Sequence, residues 1–427
     1  MSTEAVAAPA AKPKGQTWTP SSRGWTARLV AIFALFGLII FVTATVPPYW
    51  ADRISLAAVW AIIGLSLNVV LGYVGQVSLG HHGFIGIAAF VAAYYATEQA
   101  GCNIEGSCSM GAFAAATFFA VLSGGLAAGL LGLVALRIKG LYLALITLAY
   151  GFMAERSIFE ISSLTRAGAG MPAPRPSGFT SDRAFAYLCL IVLAIVIFVD
   201  WRLIKSKAGR AILSIKHSEA VASSYGINVT AYKVLAFVLS GVFAGLAGSL
   251  MAFRAENVVA NDFQFQTALL WVLMIVVGGL GNRTGVVIGS AFFALFPFLI
   301  ELAKPVEHFL SSTLERDPAE ISLVLGALLA LVTIVQYPGG IAEQISPITR
   351  WLRGEKFSMH PEGAGHHKSH GPSLLSKLRK RSSSAQSSNG ASPDSDSEEP
   401  ESADAASGDG DNPDPESEPA STGSKEA

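Results

Sequence analysis

Residues 72–90 read GYVGQVSLGHHGFIGIAAF. Two adjacent histidines, a glutamine and a serine lie there among glycines, between apolar runs that stop at Leu71 and resume at Phe84. Imidazole, amide and hydroxyl groups can exchange hydrogen bonds with each other, with freed backbone, or with a polar solute. Glycines such as Gly72, Gly75, Gly80 and Gly83 let a chain turn sharply or let helices approach closely. Irregular backbone at membrane depth survives only where protein buries it or a water-filled cavity solvates it. Two readings therefore stand. Gly72, Gly75, Gln76, Ser78, Gly80 and His81 form a helix break facing a translocation path, or they form a simple turn in water. A second stretch, GGLGNRTG at 278–285, repeats the theme and adds Gly278, Gly279, Gly281 and Asn282 as candidates. The two stretches fit corresponding positions in related halves of an internal repeat.

Little else in the chain could do chemistry. Four of the eight histidines, His360, His366, His367 and His370, sit near the C-terminus in a polar tail. There is no GxxxxGK[ST] phosphate loop and no cluster of acid, base or metal-ligating residues. The expectation is a chain that is not an enzyme, holds no metal or cofactor, and does not bind nucleic acid. Cys102 and Cys108 share one polar loop, GCNIEGSCS. They are either two unrelated thiols or, if the loop faces an oxidising compartment, a disulfide. Cys189 lies in an apolar run and reads as a packing residue.

The elements that must position these residues are membrane helices. Of 427 residues, 51% are hydrophobic and 14% charged, and the mean hydropathy is +0.47. Soluble domains carry about 25% charged residues. The apolar runs have the length that crosses about 30 Å of hydrocarbon, and they are too continuous for barrel strands. The fold class is an all-α polytopic membrane protein. About ten spans are expected, some short or broken: 29–46, 54–71, 83–96, 112–136, 141–159, 185–201, 232–253, 267–278, 285–302 and 321–337. Gly125/Gly129, Gly241/Gly245 and Gly285/Gly289 have the GxxxG spacing of tight helix contacts.

The net charge of −1 conceals an asymmetry. Residues 355–427 hold 7 Lys/Arg and 14 Asp/Glu, leaving 23 basic and 17 acidic residues in the rest. With ten spans, the basic segments (the N-terminal tail, RIKG, RLIKSKAGR and ITRWLRGEK) all fall on one side, which the positive-inside rule makes cytoplasmic. The expected organisation is an N-terminal cytoplasmic tail at 1–28, a membrane-spanning body at 29–342, and a largely disordered cytoplasmic tail at 343–427. LLSKLRKR at 374–381 could touch anionic lipid, or it is a solvated basic patch.

The span interiors show almost no ionisable residues, Glu155 and Arg156 near the end of one span being the exception. Ion-driven transporters need buried carboxylates or other ion ligands along the pathway. Energy for transport would then enter from outside the membrane domain. The longest basic loop, 202–231, is the place for it to enter. Ile212, Ile215, Ala222 and Tyr225 fall at helical spacing, Gly226 is a natural stop, and Thr230 can cap the next span. This segment is either a helix lying on the membrane surface or a docking helix that carries motion from a partner.

Four segments in order resemble the LivM-type branched-chain amino acid permeases of ABC importers. They are LNVVLGYVGQVSLGHHGFIGIAAFVAAY, LRIKGLYLALITLAYG, GRAILSIKHSEAVASSYGINVTAYKVLAFVLSGVFAGLAGSLMAF and LWVLMIVVGGLGNRTGVVIGSAFFALFP. The resemblance covers about residues 54–342 and implies a type II importer-like fold. It also implies a coupling loop built on Gly209, Arg210, Ile212, Ile215, Glu219, Ala220 and Gly226, with Glu219-Ala220 in the place of the family's EAA motif. The partners it implies are a second homologous permease, two ATPase subunits that use ATP, an external solute-binding protein and membrane lipid. The implied location is a bacterial-type plasma membrane. Two departures bear on the substrate: Phe152, not glutamate, follows Gly151, and TRAGAGMPAPRP stands where the family has TGG-x-x-G. A permease for urea or short amides is one alternative. A self-contained ion-coupled transporter is another.

Overall fold

In hydrocarbon a chain can satisfy its backbone locally only as helix, and among the described residues the long apolar stretches are helical. The computed structural model describes residues 47–102, 108–134, 140–161 and 169–302, with isolated positions at 43–45, 138, 166, 328, 331, 332, 335 and 340–343. The chain separates into a unit of residues 1–359 and one of 360–427, and every described residue belongs to the first. The expected N-terminal tail, the first and last expected spans and the C-terminal tail lie wholly or mostly outside the described residues.

Helix α1, Pro48–Leu67, continues through a π-helical stretch to Val74. Helix α2, His81–Tyr94, continues likewise to Gln99. Then come α3, Met110–Val134, and α4, Leu141–Met153, which is prolonged to Ile158. Helices α5, Asp182–Lys205, α6, Lys207–His217, and α7, Glu219–Ser224, lead to the long α8, Val229–Ala255. Helices α9, Phe265–Gly278, and α10, Arg283–Leu302, form a hairpin. Among the described residues five helices are long and apolar enough to cross a membrane: Pro48–Val74, Met110–Val134, Leu141–Ile158, Asp182–Lys205 and Val229–Ala255. Phe265–Gly278 and Arg283–Phe296 are shorter apolar helices. The sheet is minimal, with Met171–Pro172 pairing antiparallel to Asn257–Val258.

The helix ends follow from local chemistry. Proline in the first turn of α1 has a φ that suits a helix and lacks an N–H that would have no partner there anyway. The Ser181 hydroxyl accepts from the Ala184 N–H at the start of α5. At α8 the cap is Asn228, whose Oδ1 accepts from the Ala231 N–H at 3.1 Å. Thr230, the expected cap, lies inside the first turn instead, because an amide two residues earlier already serves that donor.

Helix α8 packs against α3, α2 and α1, and α1 also meets α5 and α10. Beyond Arg53, helix α1 is apolar on nearly all sides and buried over most of its length, as a central helix must be. Helix α3 instead presents Phe118, Leu122, Leu126 and Leu130 outward, a face that suits lipid. At the end of the bundle where α1 begins, Arg254 pairs with Asp52 at 2.6 Å and Arg175 with Asp182 at 2.7 Å. There Cys102 and Cys108 are joined by a disulfide, with Cα atoms 4.9 Å apart, and the Cys108 N–H donates to the Arg175 carbonyl. Cys189 is buried in the core.

Glycines set the α3–α8 distance. A Cβ on Gly241 would lie 2.3 Å from the Gly124 carbonyl oxygen, and one on Gly245 would lie 2.7 Å from that of Ala120. The α3 partner is thus Gly124. Gly125 and Gly129, the expected pair, face the flexible ends of Val242 and Val238, because the contact stripe runs one residue earlier. Gly285 and Gly289 do pack closely, against Gly278. Gly241→Ala is expected to push the helices apart and destabilise the protein by about 1–3 kcal/mol, while Gly125→Ala should be nearly neutral. Thermal unfolding midpoints of the two variants in detergent check the contrast.

Candidate functional site

The segment between α5 and α8 is built around two tight turns. Ser206 leaves α5 in extended backbone. Its hydroxyl donates to the Leu203 carbonyl at 2.6 Å and accepts from the Gly209 N–H at 3.1 Å. Gly209 sits where a Cβ would lie 2.1 Å from the Leu203 oxygen, so only glycine lets α6 fold back so closely on α5. Helix α6 buries Gly209, Ala211, Ile212 and Ile215 and exposes Arg210 and Lys216. Ser218, extended at φ −163° and ψ 118°, ends α6 and caps α7 through the Val221 N–H. Gly226, at φ 76°, closes the segment.

Where sequence periodicity gives one amphipathic helix, the structure has two, broken at Ser218, a good helix cap. Tyr225 is 82% exposed and so does not share the buried face of Ile212, Ile215 and Ala222. The break resets the helical phase. Ala220 is exposed and Glu219 half-buried. The Glu219 carboxylate meets the Lys233 ammonium at 2.5 Å, and the Lys233 side chain is only 3% exposed. This pair ties the first residue of α7 to the second turn of α8.

The two glycine-rich stretches meet beside this segment. The Lys216 ammonium donates to the Gly72 carbonyl at 2.7 Å. The Gly281 N–H donates to Asn68 Oδ1 at 2.9 Å. A Cβ on Gly72 would lie 2.0 Å from that same Asn68 oxygen and 2.8 Å from the Gly281 nitrogen. Gly75, Gly279 and Gly281 have φ of 77°, 105° and 82°, a region that glycine enters without steric cost. Gly278 abuts Gly285 across the turn, and Asn282 Oδ1 accepts from the Thr284 N–H to start α10. Next to them Asp200, fully buried in the last turns of α5, accepts from Arg283 at the start of α10 and from the Tyr73 hydroxyl at 3.0 Å.

The chain from Gly75 to Gly80 is irregular. Gly75 and Val77 are exposed, Gln76 is half-buried with its N–H bonded to the Val70 carbonyl, and Ser78 and Gly80 are buried. The Leu79 N–H donates to Thr147 Oγ1 at 2.9 Å, and Gly80 lies so close to α4 that a Cβ would sit 2.2 Å from the Thr147 backbone carbonyl oxygen. His81 bridges three elements. Its Nδ1 bonds the Ser78 hydroxyl at 2.9 Å and its Nε2 bonds that of Ser240 at 2.8 Å. The Ser240 hydroxyl also donates to the Ser66 carbonyl. Buried polar groups satisfied in this way pin α2 to α8 and α1.

The structure therefore brings Gly72, Gly281, Asn282 and the 207–226 segment to one end of the bundle, and it places Ser78, Gly80 and His81 deeper, against α4 and α8. Sequence reasoning missed Asn68, Tyr73, Asp200, Lys216, Lys233 and Arg283. Asp200 and Lys233 also correct the expectation of nearly uncharged spans, for each lies inside one and is paired. A lone charge inside an apolar run is itself the signal that could have found them. Glu155, noted in the sequence, receives the Phe265 N–H at 3.1 Å and so anchors the start of α9. Among the described residues no group of three or more His, Cys, Asp or Glu is arranged to hold a metal ion.

A profile of the family described as "Branched-chain amino acid transport system / permease component" matches residues 50–334. The chain is 29% identical to the high-affinity branched-chain amino acid transport system permease protein LivM of Salmonella typhimurium, over 75% of this chain and 77% of that one. It is 28% identical to the protein of the same name from Escherichia coli over the same shares. A shorter match, 24% identical over 38% of this chain and 51% of the other, is to the nucleoside ABC transporter permease protein NupC of Lactococcus lactis.

Proposed function

Since the chain belongs to the branched-chain amino acid ABC permeases of the LivM type, we propose that it is a membrane-spanning subunit of an ATP-driven importer of leucine, isoleucine and valine. In this reading the body has about ten spans with both termini in the cytoplasm of a bacterial-type cell. A second homologous permease completes the pathway, two separate ATPases dock on the 209–226 helices of the permease pair, and an external binding protein delivers the solute. The chain itself binds no cofactor, and ATP is consumed by its partners.

The observation that most supports this reading is the meeting of α6 with Gly72 and Gly281. ATP-driven closure of the ATPases would move α6 and α7. Lys216 would pass that motion to the ends of α1 and α9, and Glu219–Lys233 to α8. Helix α8 packs on α1, α2 and α3, so its displacement would reshape the bundle as alternating access requires. A self-contained ion-coupled transporter would have no use for such an arrangement at its cytoplasmic end.

The test is uptake of labelled leucine, isoleucine, valine and urea by cells with and without this chain, under ATP depletion and, separately, with ion gradients collapsed. Loss of ATP-dependent leucine-type uptake on deletion is the expected result. Loss of urea uptake alone would change the solute and keep the mechanism. Uptake that follows an ion gradient would overturn the coupling role.

A further inference from the structure

The last turns of α5, the first turn of α6 and the wall of α8 frame an open cleft of about 690 Å³. Its lining divides by chemistry. Val199 and Leu239, on the membrane spans, make an apolar side, while Arg202, Lys205, Lys207 and Arg210 gather four cations from nine consecutive residues. Among the described residues none of the four has a carboxylate within ion-pair distance. The Arg210 guanidinium donates to the Lys205 carbonyl, and the Lys205 ammonium sits 4.0 Å above the Trp201 ring centroid. Trp201 is stacked on Phe198 with centroids 5.9 Å apart, and both are exposed. Exposed tryptophan beside snorkelling lysine and arginine marks the boundary between hydrocarbon and headgroups.

Four uncompensated cations around one cleft repel each other, and an anion among them relieves the repulsion. A free aqueous anion would satisfy the cations and leave the apolar side wet. A molecule with a phosphate at one end and acyl chains at the other fits both. We propose that this cleft binds the headgroup of an anionic glycerophospholipid, with its phosphate among Arg202, Lys205, Lys207 and Arg210 and an acyl chain along Val199 and Leu239. The site rests on the membrane placement of α5 and α8. It requires neither the amino acid substrate nor the ATPase docking. Its position at the base of α6 means that a bound lipid would fix that helix relative to the bilayer surface.

The test uses the full chain with whatever subunits co-purify, held in micelles containing equal phosphatidylglycerol and phosphatidylcholine, with retained lipid counted by native mass spectrometry. Phosphatidylglycerol should be retained in preference to phosphatidylcholine. Replacing all four cations with glutamine should lower that retention roughly tenfold or more, since each basic side chain attracts an anionic headgroup. Exchanging Lys205→Arg and Lys207→Arg should preserve it. Leu239→Trp, which fills the apolar side and leaves the charges, should also lower it, and inorganic phosphate should not displace the lipid. If the quadruple variant elutes as aggregate, Lys207→Gln and Leu239→Trp alone still decide the matter. Equal retention of the two lipids, or retention unchanged in the glutamine variants, would overturn the site. Displacement by inorganic phosphate with no effect of Leu239→Trp would show a bare anion site instead. Unchanged lipid selectivity together with loss of co-purifying ATPase would assign the surface to the ATPases.

Discussion

Arg283→Leu is expected to destabilise the protein by about 3–5 kcal/mol, the cost of leaving a buried charge without its partner. Asp200 is fully buried and takes hydrogen bonds on one carboxylate oxygen, from Arg283 and Tyr73. Its other oxygen has no hydrogen-bond partner among the described residues. Removing Arg283 leaves only a phenol to hold a carboxylate in a low-dielectric interior. Arg283→Leu combined with Asp200→Asn should recover most of the loss, because a neutral amide needs far less solvation. A double-mutant cycle on thermal unfolding in detergent measures the coupling. A loss under about 0.5 kcal/mol for Arg283→Leu, or no recovery in the double variant, would mean that water reaches Asp200 and that the pair is not structural. The three residues come from α10, α5 and the π-helical end of α1. Uptake should therefore fall with stability in the single variant and return with it in the double variant.

How far the sequence reveals this arrangement depends on whether a feature is local. The membrane helices are legible because hydrophobic length is a one-dimensional property, and α2, α3, α4, α8 and α9 lie within a few residues of their expected bounds. Gly226 as a stop is also local, dictated by backbone geometry within a single turn. The Ser218 break was not legible as a break, since periodicity averages over a window longer than α7. The contact between Gly72 and Gly281 joins residues more than two hundred positions apart, and no spacing rule can reach it. The two glycine-rich stretches are nonetheless both legible, because each interrupts an apolar run. Their polar partners Asn68 and Lys216 do not stand out, one because it lies inside a helical run and the other because it lies in an already basic loop. Asp200 and Lys233 were visible as letters, but their partners come from distant parts of the chain. Only the fold turns a costly lone charge into a satisfied pair.

Glu219→Lys is expected to reduce ATP-dependent uptake to background while the protein still reaches the membrane. The structure gives a specific reason. The Glu219 carboxylate faces inward onto Lys233, at 2.5 Å, and the lysine is nearly inaccessible to water. Reversing the charge sets two ammonium groups against each other, and the buried one has lost its counter-ion, at a cost of about 3–5 kcal/mol. The relief available is for α7 to swing away from α8, which breaks the proposed link between the ATPase side and the central helix. The bundle itself is held by α1, α2, α3 and α8 packing and should persist. The paired exchange, Glu219→Lys with Lys233→Glu, separates two accounts of the same loss. If Glu219 acts by clamping α7 to α8, the exchange restores the ion pair and uptake returns. If Glu219 instead touches an ATPase directly, the exchange restores stability but not uptake. Normal uptake by Glu219→Lys alone would remove the coupling role of this residue altogether. The clamp account is the one the geometry favours, because a carboxylate spent on a buried lysine of its own chain is poorly placed to reach a partner. The exposed side of the segment, at Ala220, Val221 and Tyr225, would then be the surface left for the proposed ATPase.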